Sequence, residues 1–214
     1  MSDECGCTGD EDRARVDPAY RRALWVVVLL NIGFGLVELA GGFLAGSQAL
    51  KADSLDFLGD GSITLIGLMA LGWSALARAR VALTQGLFLG FLGLGVIGAA
   101  IWRALNAVPP DAELMGGLGV AALVVNVSAA LVLARFREGG DAQARAIWLF
   151  SRNDAINNVA VIVAAGLVAW TGSAWPDLIV AVIVALMFLQ SAWEIVRDAL
   201  REMRERAPSV HASR

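Results

Sequence analysis

Six long apolar stretches restrict this chain more than any other feature: residues 23–45, 49–73, 81–105, 113–136, 144–170 and 177–196. Each is long enough to cross about 30 Å of hydrocarbon as a helix. With no water available inside the bilayer, backbone polar groups must be satisfied within the segment, which a helix does and an isolated strand cannot. A composition 57% hydrophobic and only 17% charged excludes an ordinary soluble domain. The expected class is an all-α integral membrane protein of six transmembrane helices in a lipid bilayer.

Orientation follows from where the positive charges fall. Arg13, Arg15, Arg21 and Arg22 precede the first stretch, and Arg78 and Arg80 follow the second. Arg135, Arg137 and Arg145 flank the fourth connection, and Arg197, Arg201, Arg204, Arg206 and Arg214 follow the last stretch. The remaining connections carry only Lys51 and Arg103. Cationic loops stay in the cytoplasm, so both termini are expected there, in a multi-pass protein of the cell membrane. Residues 1–20 read as a disordered cytoplasmic tail, 21–198 as the membrane domain and 199–214 as a short cytoplasmic extension. Residues 1–20 lack the basic start and short apolar core of a cleavable signal. Cys5 and Cys7, in C-G-C, are the only cysteines. A disulfide is not expected in a reducing compartment, which leaves a plain tail or a docking point for a thiophilic metal ion.

Within the second stretch lies Q-A-L-K-A-D-S-L-D-F-L-G-D-G, residues 48–61. Asp53, Asp56 and Asp60 follow one another at steps of three and four, which places them on one helical face. Ionisable groups inside a span are costly and by default point to function. The fifth stretch has a matching face: in S-R-N-D-A-I-N-N, Asp154 is followed by Asn157 and Asn158 at steps of three and four. The second span runs inward and the fifth outward. Asp60 and Asp154 each sit about ten residues from the ends of their stretches, roughly 15 Å deep at 1.5 Å per residue. The two faces therefore meet near the midplane.

Unpaired carboxylates gathered there would cost several kcal/mol each. A divalent cation or protons must offset that charge, and the two are linked because carboxylates lose their protons to bind metal. Secondary transporters place substrate and coupling ions at this depth. The residues read as an exchanger of a divalent metal ion for protons, with no prosthetic group, no nucleotide-binding loop and no nucleic-acid partner. Asn31 and Asn126 are helix-packing hydrogen bonders or pathway groups, and Glu38 either bonds a neighbouring helix or lines an exit path. Asp53, nearer the outer surface, caps or anchors its helix or lines the same exit. In the third span Gly86 and Gly90 form a G-x-x-x-G pattern, which favours close helix packing within the chain or across a homodimer.

Residues 38–60, E-L-A-G-G-F-L-A-G-S-Q-A-L-K-A-D-S-L-D-F-L-G-D, resemble the cation diffusion facilitator family of metal transporters. Its pattern runs E-x-x-G-G, then S-x-A-L-x-A-D, then His or Asp followed four residues later by Asp. The stretch N-D-A-I-N-N-V-A-V-I-V-A-A, residues 153–165, is similar to the family's fifth span. The resemblance implies that Asp56 and Asp60 are metal ligands on the second span and Asp154 is one on the fifth. It also implies export from the cytoplasm, with zinc and cadmium the commonest substrates. The family usually carries His or Asp four residues before Asp154, where this chain has Phe150. Asn157 is the expected replacement ligand, with Asn158, Asn153 or water as alternatives. About eighteen residues follow the sixth span, so the family's cytoplasmic metal-binding domain is expected to be absent.

The single histidine, His211, lies outside every span. Oxygen donors alone move preference toward harder ions. Zn²⁺, with or without Cd²⁺, is the first expectation, and Fe²⁺, Mn²⁺ or Co²⁺ the second. Two other classes compete. A sensor or structural membrane protein would keep the fold but not the flux, consistent with Phe150. An intramembrane phosphotransferase is suggested by D-F-L-G-D-G, but Thr64-Leu65 stand where that chemistry needs an Ala-Arg pair, so the chain is not expected to be an enzyme.

Overall fold

The computed structural model describes residues 18–70, 73–106, 108–134 and 141–205, without the side chains of residue 134 and residues 141–153. Among them are six helices and no strand: α1 (Pro18–Ala45), α2 (Gln48–Met69), α3 (Ala75–Asn106), α4 (Ala112–Ala134), α5 (Asp141–Thr171) and α6 (Trp175–Glu205). Each apolar stretch becomes one helix. Pro18 opens α1 at a position where its missing N–H costs nothing. This start falls three residues inside the stretch read as tail, and α6 likewise continues into the charged residues after 198. The exposed ion pair there joins Arg197 to Asp198 at 3.7 Å.

By length and composition, α1, α3, α4, α5 and α6 qualify as membrane spans. The 22 residues of α2 do not, because Lys51, Asp53, Asp56 and Asp60 interrupt them. The outer surface is that of a bilayer protein. Leu29, Leu44, Phe91, Leu105 and Trp170 are all more than 65% exposed, a surface no aqueous protein maintains.

Small residues set the interior. The closest pairs are α1 with α2, α3 with α6 and α4 with α5; α1 also packs on α4, and α2 on α6. In the α1–α2 seam a Cβ on Gly42 would lie 3.1 Å from the Lys51 backbone N, and one on Gly61 only 2.6 Å from Ile32 Cγ1. In the α3–α6 seam a Cβ on Gly86 would lie 2.8 Å from Val196 Cγ2, and one on Gly93 would lie 2.9 Å from Leu189 Cδ2. Gly90 has nothing within 4 Å. The packing pair in α3 is therefore Gly86 with Gly93, two turns apart, and not the two glycines of the G-x-x-x-G pattern. Toward the ends of the bundle opposite the chain termini, Ala45, Ala49, Leu50, Met115, Val161, Ala165 and Ala181 form a close-packed apolar cluster.

Candidate functional site

The acid-bearing helix is fixed at its first turn. Gly46, with φ of 67°, reverses the chain after α1 in a left-handed conformation that favours glycine. Ser47 then caps α2, its Oγ accepting from Leu50 N at 3.1 Å. Asp177, from the first turn of α6, adds three more bonds. Its Oδ1 accepts from Ser47 Oγ at 2.5 Å and from Ala49 N at 3.0 Å, and its Oδ2 accepts from Gln48 N at 2.8 Å. All four residues are buried. The cap is thus filled by Ser47 and Asp177, so Asp53 does not cap α2 but lies buried in its second turn.

Further along α2, Asp56 and Asp60 turn toward α5 and α6. One cavity of about 500 Å³ is lined by Asp56, Gly59 and Asp60 of α2, Asp154 and Asn157 of α5, and a long wall of α6. That wall includes Phe188, Gln190, Ser191, Glu194 and Asp198. The four residues expected as ligands therefore share one space. Among the described residues no group of three or more His, Cys, Asp or Glu side chains is gathered closely enough to hold a metal ion as it stands. Helices α2 and α5 touch only briefly, so their acids face a common cavity without closing on one point.

The secondary positions divide. Asn31 packs on α2 beside the site, since a Cβ on Gly61 would lie 3.1 Å from Asn31 Cβ; its Oδ1 is buried and without a protein partner. Glu38 and Asp53 are buried side by side, and both Glu38 oxygens and Asp53 Oδ2 meet no donor. Asn158 is fully buried with both amide atoms unpartnered. Asn126 is half-buried on α4 and does not line the cavity. The neighbouring Ser128 hydroxyl donates to its own helix, to Val124 O at 2.7 Å, and not to another helix. The side chains of Phe150 and Asn153, and the residues Cys5 and Cys7, lie outside the described residues.

Two contributions escaped the sequence reading. Gln190 and Glu194, not among the expected site residues, line the cavity, with Gln190 Nε2 donating to Glu194 Oε1 at 3.3 Å. Their spacing of four on one helical face was the available signal. Asp177 read only as the first residue of the sixth span, and no local pattern ties it to residues 47–49.

Apolar helices with an acidic cavity between α2, α5 and α6 define a multi-pass membrane protein. The chain belongs to the cation efflux family: the model of the cation efflux transmembrane domain matches residues 24–203. It is 32% identical over 205 residues to the zinc transporter ZitB of Escherichia coli, covering 90% of this chain and 65% of the relative. It is 28% identical over 211 residues to a cadmium, cobalt and zinc/H(+)-K(+) antiporter of Bacillus subtilis, covering 89% and 65%. To the metal cation efflux system protein CzcD of Cupriavidus metallidurans it is 28% identical over 203 residues, covering 87% and 63%. The chain thus spans a little under two thirds of the length of these curated relatives.

Proposed function

We propose that residues 21–198 form a transport domain that exports a divalent metal cation, Zn²⁺ first and Cd²⁺ with it, from the cytoplasm in exchange for protons. Both termini lie on the cytoplasmic side in this reading. Asp56, Asp60, Asp154 and Asn157 supply the oxygens. The observation that carries the reading is the shared cavity, which brings these four side chains from α2 and α5 into one polar space inside an apolar bundle.

The chemistry follows from the donor set. Carboxylate oxygens bind Zn²⁺ at about 2.0–2.2 Å, closer than the open cavity holds them, so an arriving ion draws α2 and α5 together. The carboxylates must shed protons to bind it and regain protons when it leaves. Exchange results from one set of oxygens serving both ions. Glu38, Asp53 and Asn158 are polar groups beyond this set, on the route away from the cavity mouth. Zinc is named for the Escherichia coli relative and cadmium, cobalt and zinc for the Bacillus subtilis one. An all-oxygen site also suits Fe²⁺, Mn²⁺ or Co²⁺, which are the second choice. Gly90, with no neighbour within 4 Å, leaves α3 a small-residue face for a homodimer.

The test is flux into proteoliposomes carrying an internal pH indicator, over Zn²⁺, Cd²⁺, Mn²⁺, Fe²⁺ and Co²⁺. Zn²⁺ entry accompanied by proton exit is expected. Asp60→Asn and Asp154→Ala each lower it by at least about a hundredfold, beyond the effect of losing an outer-shell contact, while Asn31→Ala leaves most of it. Absence of proton-coupled flux with all five ions would sink the transporter reading. Retained flux in Asp154→Ala would show that the site is assembled elsewhere.

A further inference from the structure

The cavity and the Asp177 bonds occupy opposite ends of the same helix pair. From Asp60 and Asp154 the cavity follows α6 toward Asp198, near the end where the chain terminates. At the other end, Asp177 on α6 binds Ser47, Gln48 and Ala49 on α2, and the apolar cluster around Leu50, Met115 and Ala181 packs beside them. Ser47, Gln48, Ala49 and Asp177 are each no more than 2% exposed. The bonds also join α2, which packs most closely on α1, to α6, which packs most closely on α3.

An aspartate is suited to this place. Its two oxygens serve three donors, and the carboxylate lies at the N-terminal ends of both α2 and α6, where partial positive charge favours it. Bonds to a charged acceptor are stronger than neutral ones. Alternating access in bundles of this kind moves one group of helices against the other around a fixed site. A tie between α2 and α6 at one end keeps that end closed while the other stays open.

We propose that Asp177 is a positioning residue for transport: its three hydrogen bonds hold shut the end of the bundle opposite the cavity mouth. The proposal rests on the transporter reading above. Asp177 touches no cavity-lining ligand and acts through α2. Ion release to the far side requires these bonds to break, so their strength sets how much of the time that side is sealed.

The experiment uses the full chain in freeze-thawed proteoliposomes, with Cys5→Ser and Cys7→Ser to remove the native thiols. Gln48→Cys reports on the closed end; its backbone N–H is retained, and the Gln48 Oε1 it removes has no partner. Ser191→Cys reports on the cavity. A hydrophilic maleimide should label the first slowly and the second quickly while Asp177 is present. Labelling of a buried thiol follows the opened population, so Asp177→Asn should speed Gln48→Cys labelling about tenfold and leave Ser191→Cys labelling unchanged. Equal rates at Gln48→Cys with and without Asp177 would overturn the proposal, as would equal acceleration at both reporters, which marks general loosening. If Asp177→Asn gives no monodisperse protein, Asp177→Ser, which shortens the acceptor and leaves the Ser47 cap on Leu50 N in place, carries the same reading, with an acceleration of Gln48→Cys labelling again expected. The arms separate the two claims. A wild type that carries none of the five ions sinks the transporter reading, whereas a transporting wild type with Asp177-insensitive labelling sinks this one.

Discussion

Replacing Gly86 and Gly90 by alanine, one at a time, tests which face of α3 holds the bundle together. A Cβ on Gly86 would sit 2.8 Å from Val196 Cγ2, 3.1 Å from Ile195 Cγ2 and 3.2 Å from Ala192 O. Comfortable carbon contacts lie at about 3.5–4.0 Å, so α6 must retreat by roughly 0.7 Å or Val196 must leave its rotamer. Overpacking of this kind costs about 1–3 kcal/mol. Alanine regains about 1 kcal/mol of helix propensity over glycine, leaving Gly86→Ala destabilised by about 0–2 kcal/mol. Gly90 has no neighbour within 4 Å, so Gly90→Ala keeps the propensity gain and should be more stable than the wild type by about 0.5–1 kcal/mol. For a chain of this size each kcal/mol corresponds to about 2–4 °C in Tm. Thermal unfolding of the detergent-solubilised protein, followed by size-exclusion fluorescence, should therefore separate the two variants by several degrees, with Gly90→Ala the higher. Equal melting of the two, or the reverse order, would refute the assignment of Gly86 to the α3–α6 seam. Because Ala192 and Ile195 also line the cavity, Gly86→Ala should lower the transport rate as well.

Two smaller predictions concern the polar residues. Asn157→Ala, which removes an amide from the cavity but no charge, should raise the half-saturating Zn²⁺ concentration about tenfold in the same proteoliposome assay; an unchanged value would remove Asn157 from the ligand set. Ser128→Ala should change neither flux nor Tm beyond about 0.5 kcal/mol, because the hydroxyl serves only its own helix. A large loss there would mean that it bonds across to another helix during the cycle.

The six helices and the meeting of two acidic faces were legible in the sequence because both depend on local periodicity. Apolar runs of bilayer length have one stable form, and acids at steps of three and four share a face whatever surrounds them. With alternating span direction, Asp56 and Asp60 had to approach the depth of Asp154, and they line one cavity with it. What escaped was set by pairing between distant segments. Asp177 is 130 residues from Ser47, and an acid opening a helix is too common to announce a partner. The G-x-x-x-G pattern settled less for a related reason: small residues permit close approach, but the neighbour decides which of them is used, and within the chain it is Gly86 and not Gly90. Gln190 and Glu194 were not marked out because the cavity that reaches them exists only once α2, α5 and α6 are packed together.

The two-residue link between α1 and α2 bears on how the protein enters the membrane at all. On insertion scales a charged residue at the centre of a span costs about 2.5–3.5 kcal/mol, and α2 carries Asp53, Asp56 and Asp60, enough to keep it out of the bilayer as a solitary segment. Gly46 and Ser47 leave it no independence from α1, whose Gly35 and Gly42 admit it to direct contact. The acidic helix must therefore be delivered as the second arm of a hairpin, already lying against an apolar partner. The turn that fixes the site's register in the finished protein is, during synthesis, what makes the most polar helix insertable.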